Sequence, residues 1–172
     1  MKYDKIIYGF ALVVVMTNSA FAQSSSTGMW QDASYTDDLS GKYVTVIKLL
    51  PTSNSDNDID DSTMYIRCKD NNLDLQVDWD QKMTTDSSVQ TFELDYRIGQ
   101  SVQSGNWELS TDNEGLFYPG NVVGFINQLV TSDIFIAQVT PDDGNNITSD
   151  FDTTGLINAV QPVLQACGYN QQ

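Results

Sequence analysis

The chain has no histidine, and only 8 of its 172 residues are lysine or arginine. Without imidazole there is no His general base, no Ser-His-Asp or Cys-His nucleophile pair and no His-ligated metal. Against the 8 basic side chains stand 23 acidic ones, for a formal net charge of −15. That surface repels phosphate backbones, so nucleic acid is not an expected partner. Long apolar runs are also missing. The longest, residues 6–16, falls well short of the roughly 20 residues that a membrane-spanning helix needs. Cysteine occurs twice, and the length suits one domain with a tail.

What is present begins with an export pattern. Lys2 and Lys5 flank a charged start, the apolar run follows, and Ala20-Phe21-Ala22 puts small residues where signal peptidase reads. We expect residues 1–22 to be a signal peptide, 23–29 a flexible tether and 30–172 a single domain. No cysteine sits at the cleavage junction, which argues against a lipid anchor. The mature chain is expected to be exported without a transmembrane segment, reaching the periplasm first in a two-membrane cell. Cys68 and Cys167 are the one possible intramolecular pair. An oxidising compartment makes their disulfide the default, and the alternative is two free thiols, one of them reactive.

Strand signals dominate the domain. Residues 42–49 and 63–68 are rich in β-branched and aromatic side chains. Residues 73–79 alternate, with Leu73, Leu75, Val77 and Trp79 toward a core and Asp74, Gln76 and Asp78 toward water. Further strands are expected over 89–98, 105–110, 133–139 and 149–153, while 31–40 reads as irregular. Val122, Val123, Ile126, Leu129 and Val130 trace one helical face, with Pro119 in the first turn. A last helix is expected from a Thr154 cap to Gly168, kinked or divided at Pro162. The predicted class is α+β: a mainly antiparallel β-sandwich or curled sheet with two packed helices and one disulfide.

Few residues suggest chemistry. Asp56, Asp58 and Asp60 copy the start of an EF-hand loop, a weak calcium signal. The copy fails at Asp61, where glycine is needed, and at Arg67, where a bidentate Glu is needed. No cofactor is expected otherwise. Carboxylates are numerous enough for a glycan hydrolase pair, but no spacing singles one out. Ser110 and Asp112 are close, yet a serine nucleophile needs a base and no His exists. No catalytic residue is therefore predicted. Arg67 and Arg97 are the chain's only arginines. Each is expected to form a bidentate pair with a carboxylate, Asp95, Asp70 or Asp112 being candidates, or else to receive an anionic group from a partner. Trp30, Trp79 and Trp107 read as core anchors first and contact residues second.

Several motifs in order resemble one family. These are Trp30 before the Tyr43-Val44-Thr45-Val46 strand, Tyr65-Ile66-Arg67-Cys68, and Leu94-Asp95-Tyr96-Arg97. Trp107-x-x-Ser110-x-Asp112, Phe151, Gly155-Leu156 and Ala166-Cys167-Gly168-Tyr169 follow. Together they resemble the type VI secretion-associated VasI/TagO family over essentially all of the mature chain. The resemblance implies a periplasmic, non-enzymatic accessory protein with a protein partner among secretion-apparatus components. Related sequences look to occur in phage and prophage settings too, where the chain would be an interaction module. It carries over the disulfide at Cys68 and Cys167. Arg67, Arg97, Trp107, Ser110 and Asp112 come with it as motif positions without an assigned job. Tyr169 departs from the family's terminal Trp, and the acidic run at 56–61 is unusual for it.

Overall fold

The computed structural model describes residues 26–54 and 62–169. The expected signal peptide and the calcium candidates Asp56, Asp58 and Asp60 lie outside the described residues. In chain order the strands are β1 (Gln31–Asp32), β2 (Tyr35–Thr36), β3 (Tyr43–Leu49), β4 (Ser53–Asn54), β5 (Thr63–Lys69) and β6 (Asn72–Asp78). Then come β7 (Thr91–Ile98), β8 (Ser101–Leu109) and β9 (Gly115–Phe117). Helix α1 (Val122–Val130) precedes β10 (Ile134–Val139) and β11 (Ile147–Asp152), and α2 (Leu156–Ala159) and α3 (Gln161–Ala166) end the chain.

All the strands join one antiparallel sheet in the order β1-β3-β5-β6-β9-β8-β7-β10-β11-β4, with β2 also on β3. The predicted class therefore holds: mainly antiparallel sheet, packed helices, one disulfide. The sheet stays open but curls. β4 follows β3 in sequence yet pairs with β11, at the far end of the strand order. The hydroxyls of Ser62, just before β5, and Ser149, on β11, meet at 2.7 Å in the buried interior.

Residues directly paired across strands share a face, so register separates core from surface. On β6, Leu73, Leu75 and Val77 are buried as the alternation predicts, and Trp79 continues the row. Their partners Cys68, Ile66 and Met64 on β5 face the same way. Phe92, Leu94, Tyr96 and Ile98 on β7 do the same for the other half of the sheet. Helix α1 covers that half with Phe125, Ile126 and Leu129, its N-terminus capped by Asn121, whose Oδ1 accepts from Gly124 N at 3.1 Å. Pro119 thus lies before the cap rather than inside the first turn. Trp30, Trp79 and Trp107 are all core residues.

The last helix is divided, as Pro162 requires. Pro162 lacks a donor and is accommodated in the first turn of α3, where intrahelical donors are not needed. The cap differs from expectation. Gly155, at φ +85°, stands at the N-terminus of α2, and Thr154 instead gives its N–H to Asp152 Oδ1 at 3.0 Å. The reason is close packing with the chain's start. A Cβ on Gly155 would lie 2.4 Å from Thr27 C, and one on Gly28 would lie 1.9 Å from Thr154 O. Asn158 Nδ2 also donates to Ser26 O at 2.9 Å. The tether expected over 23–29 is therefore fixed from residue 26 onward.

Three other boundaries change. Part of the irregular 31–40 segment forms β1 and β2, because two short stretches find backbone partners on β3. β8 begins at Ser101, four residues before the expected start, since its partner β7 is long enough to template it. β11 begins at Ile147 because β10 pairs with it over its full length. Among the described residues no helix is long and apolar enough to cross a membrane.

Candidate functional site

The face of the sheet opposite the core carries a groove of about 530 Å³. Register builds its floor. Tyr65 on β5 stands opposite Gln76 on β6, Gln76 opposite Phe117 on β9, and Phe117 opposite Glu108 on β8. A second row places Val46 opposite Arg67 and Arg67 opposite Asp74. Tyr35 forms one wall and the turn carrying Ser110 and Asp112 the other. Gly115 helps to shape the floor: a Cβ there would sit 2.0 Å from Gln76 Nε2, so only glycine lets that amide lie across β9.

Arg67 is held rather than offered. Its Nε and one terminal nitrogen both lie 3.1 Å from Asp74 Oδ2. Its guanidinium carbon lies 5.7 Å from the centroid of the Phe117 ring, a cation–π contact. The partner is none of the three expected carboxylates, and the pair is not a bidentate fork, because one oxygen takes both contacts. Asp74 Oδ1 is buried without a hydrogen-bond partner. Burial pushes the Asp74 carboxyl above its ordinary range, with Arg67 pulling the other way. Asp74 lies on the outer face, as the alternation predicts, but is half-buried beside Arg67. Of the other candidates, Asp70 pairs with Lys42 at 2.6 Å instead.

Ser110 and Asp112 form a turn brace. The Ser110 hydroxyl donates to Asp112 Oδ1 and accepts from Glu114 N at 3.2 Å and Gly115 N at 2.8 Å. Asn113, at φ +66°, completes the reversal from β8 into β9. The hydroxyl's capacity is spent on the loop, and the brace sets the position of the groove wall. The Ser110 hydroxyl and the Glu114 N–H hold Asp112 below the usual carboxylate range. A lowered native pKa stabilises the fold above the unfolded-state value near 3.9, and that contribution is lost as pH falls through the native pKa. Ser110→Ala should therefore move the Asp112 titration up toward the ordinary value and shrink its acid-side contribution. Carbon-detected NMR titration of the Asp112 carboxyl checks this, and an unmoved pKa would refute the brace.

Arg97 and Trp107 lie elsewhere. Arg97 is on the outer face of β7, opposite Val102 on β8 and Ile136 on β10. One terminal nitrogen donates to Gly99 O at 2.7 Å, and among the described residues it makes no ion pair. Val102 beside it is 75% exposed. Trp107 points inward at 1% exposure, so it is not a surface residue. Arg97 pairs at one end of the β7–β8 hairpin, whereas Asp112 follows the other end of β8. Seven residues of strand, about 24 Å, separate their levels. The motif positions Arg97, Trp107 and Asp112 therefore do not share one surface. Arg67, Ser110 and Asp112 are the motif positions that come together, joined by Tyr65 of the same strand motif, by the water-facing Gln76, and by Tyr35 and Phe117, which sequence reasoning did not single out.

Cys68 and Cys167 are joined, with Cα atoms 5.6 Å apart, and tie the end of α3 to β5. A second cleft, of about 670 Å³, lies between β3 and α3 and is lined by Tyr43, Thr45, Pro162 and Gln165 among others. It is the seam along which the helix pair and the N-terminal segment seat on the sheet. Among the described residues no three acidic or thiol side chains cluster as metal ligands. Comparison with protein-family models, characterised proteins and solved structures finds no match to this chain.

Proposed function

We propose that the chain is an exported, non-catalytic accessory protein that binds a protein partner and serves a type VI secretion apparatus. The observation that carries the binding part is Arg97. In a chain of charge −15, an arginine without an ion pair among the described residues is held outward by its own turn carbonyl. Val102 and Ile136 bracket it with apolar surface. A planar donor fork beside apolar side chains suits a carboxylate from a partner protein, and arginine is enriched in such interfaces. The disulfide fits an oxidising compartment. The secretion setting rests on the motif resemblance, within which Arg97 is one of the shared positions.

The test is crosslinking of tagged protein in its native host, with mass spectrometry of the captured partners. Capture of secretion-apparatus components is the expected outcome. Arg97→Ala should reduce that capture roughly tenfold or more, because it leaves the partner's carboxylate unpaired. Arg97→Lys should restore only part of it, since the fork geometry is lost. Both variants should melt within a few degrees of the parent. Undiminished capture by Arg97→Ala would remove Arg97 from the interface. Capture of phage structural proteins instead would reassign the setting.

A further inference from the structure

The groove on the outer face has contents that fit one class of ligand, on grounds separate from Arg97. Two aromatic residues, Tyr65 and Phe117, stand on either side of Gln76 along a single register row, and the Gln76 amide reaches beside them over Gly115. Neighbouring strands lie about 4.8 Å apart, so this row spans about 10 Å. Neither the Gln76 amide nor the Tyr65 hydroxyl has a hydrogen-bond partner among the described residues. Both groups donate and accept. Asp78 and Asp112 add acceptors at the margins.

We infer that this groove binds a short neutral oligosaccharide. A pyranose presents C–H faces that pack on aromatic rings and hydroxyls that both donate and accept. Alternating rings and amphoteric polar groups match that surface. Charge excludes the anionic alternatives. Arg67 is neutralised by Asp74, and Asp78 and Asp112 leave the groove negative, so a phosphate, sulfate or uronate would meet repulsion. Backbone pairing argues against an extended peptide. β5 is paired on both sides, by β3 and β6, and β6 by β5 and β9. Its floor therefore offers no open sheet edge to augment, and recognition must run through side chains. The volume of about 530 Å³ lies within the range of small-ligand sites.

The experiment titrates isotope-labelled protein with cellotriose, maltotriose and chitotriose, reading amide shifts and calorimetric affinity. A sulfated disaccharide and an uncharged heptapeptide serve as comparison probes. At least one neutral trisaccharide should bind with Kd at or below about 1 mM, with shifts centred on Tyr65, Gln76, Phe117 and Asp112. Gln76→Ala and Phe117→Ala should each weaken it roughly tenfold. Tyr65→Phe, which removes one hydroxyl and keeps the ring, covers the case in which Phe117→Ala unfolds. Arg97→Ala should bind like the parent, which separates this inference from the partner-binding proposal. The inference is overturned if folded protein shows no shifts with any of the three at about 10 mM. It is equally overturned by unchanged affinity in Gln76→Ala, or by preference for the sulfated probe or the peptide.

Discussion

Replacing both Cys68 and Cys167 with alanine should cost about 4–5 kcal/mol of stability. The bridged residues are 99 apart in sequence, and closing a loop of about 100 residues removes about that much denatured-state entropy in the chain-entropy model. For a domain of this size the melting temperature should fall by about 10–20 °C. The loss should not be uniform. Helices α2 and α3 are four and six residues long, too short to persist unaided. They hold to the sheet through Leu156, Val160, Val163 and Leu164, and through the disulfide at the end of α3. Each of those buried side chains contributes about 1.5–3 kcal/mol, so the helices should remain docked in the variant but open more often. Residues 26–29 rest on Thr154 and Gly155 and should open with them. Hydrogen exchange should therefore accelerate first over 26–29 and 156–169, ahead of β5 to β8. A variant that melts within about 2 °C of the parent, or that exchanges evenly, would show that the bridge adds little to the packing.

That helix pair was legible in the sequence because its signals are local. Its apolar spacing, Pro162 and the terminal Gly168 all act within a few residues. The alternation of Leu73, Leu75 and Val77 is equally local, and one buried face fixes it. The Arg67–Asp74 pair could also have been found. Asp70 and Asn71 take positive φ in a two-residue turn, and centring the hairpin there puts Arg67 directly opposite Asp74. A turn centred one residue later, on Asn71-Asn72, would shift the register and hide the pair. β4 offered no such route. Its pairing with β11 depends on how far the whole sheet curls, across a sequence separation of nearly a hundred residues. The groove was hidden for the same reason. Tyr35, Tyr65, Gln76 and Phe117 come from four strands, and only the strand order β2-β3-β5-β6-β9 makes them neighbours.

Trp107 separates motif resemblance from surface role. Its ring packs edge-on against Tyr118 at 5.3 Å and against Tyr96 and Phe125 at 5.8 Å. Phe125 in turn meets Phe135 at 5.9 Å, which links β8, β7, α1 and β10 through one aromatic cluster. Trp107→Ala should therefore cost about 3–5 kcal/mol, the transfer term of the indole plus the cavity it leaves. Chemical denaturation should show this as a lower midpoint. The consequence reaches the surface only indirectly. α1 would lose the contact of Phe125 with the indole, one of several it makes with the sheet, and β8, which carries the Ser110–Asp112 turn at its end, would loosen. Partner capture should then fall only as far as the folded fraction falls. Arg97→Ala should show the opposite pattern, a small change in stability with a large change in capture. If Trp107→Ala kept the parent's stability and lost capture alone, the indole would have to be reachable from outside. That outcome would contradict its 1% exposure and return Trp107 to the contact surface.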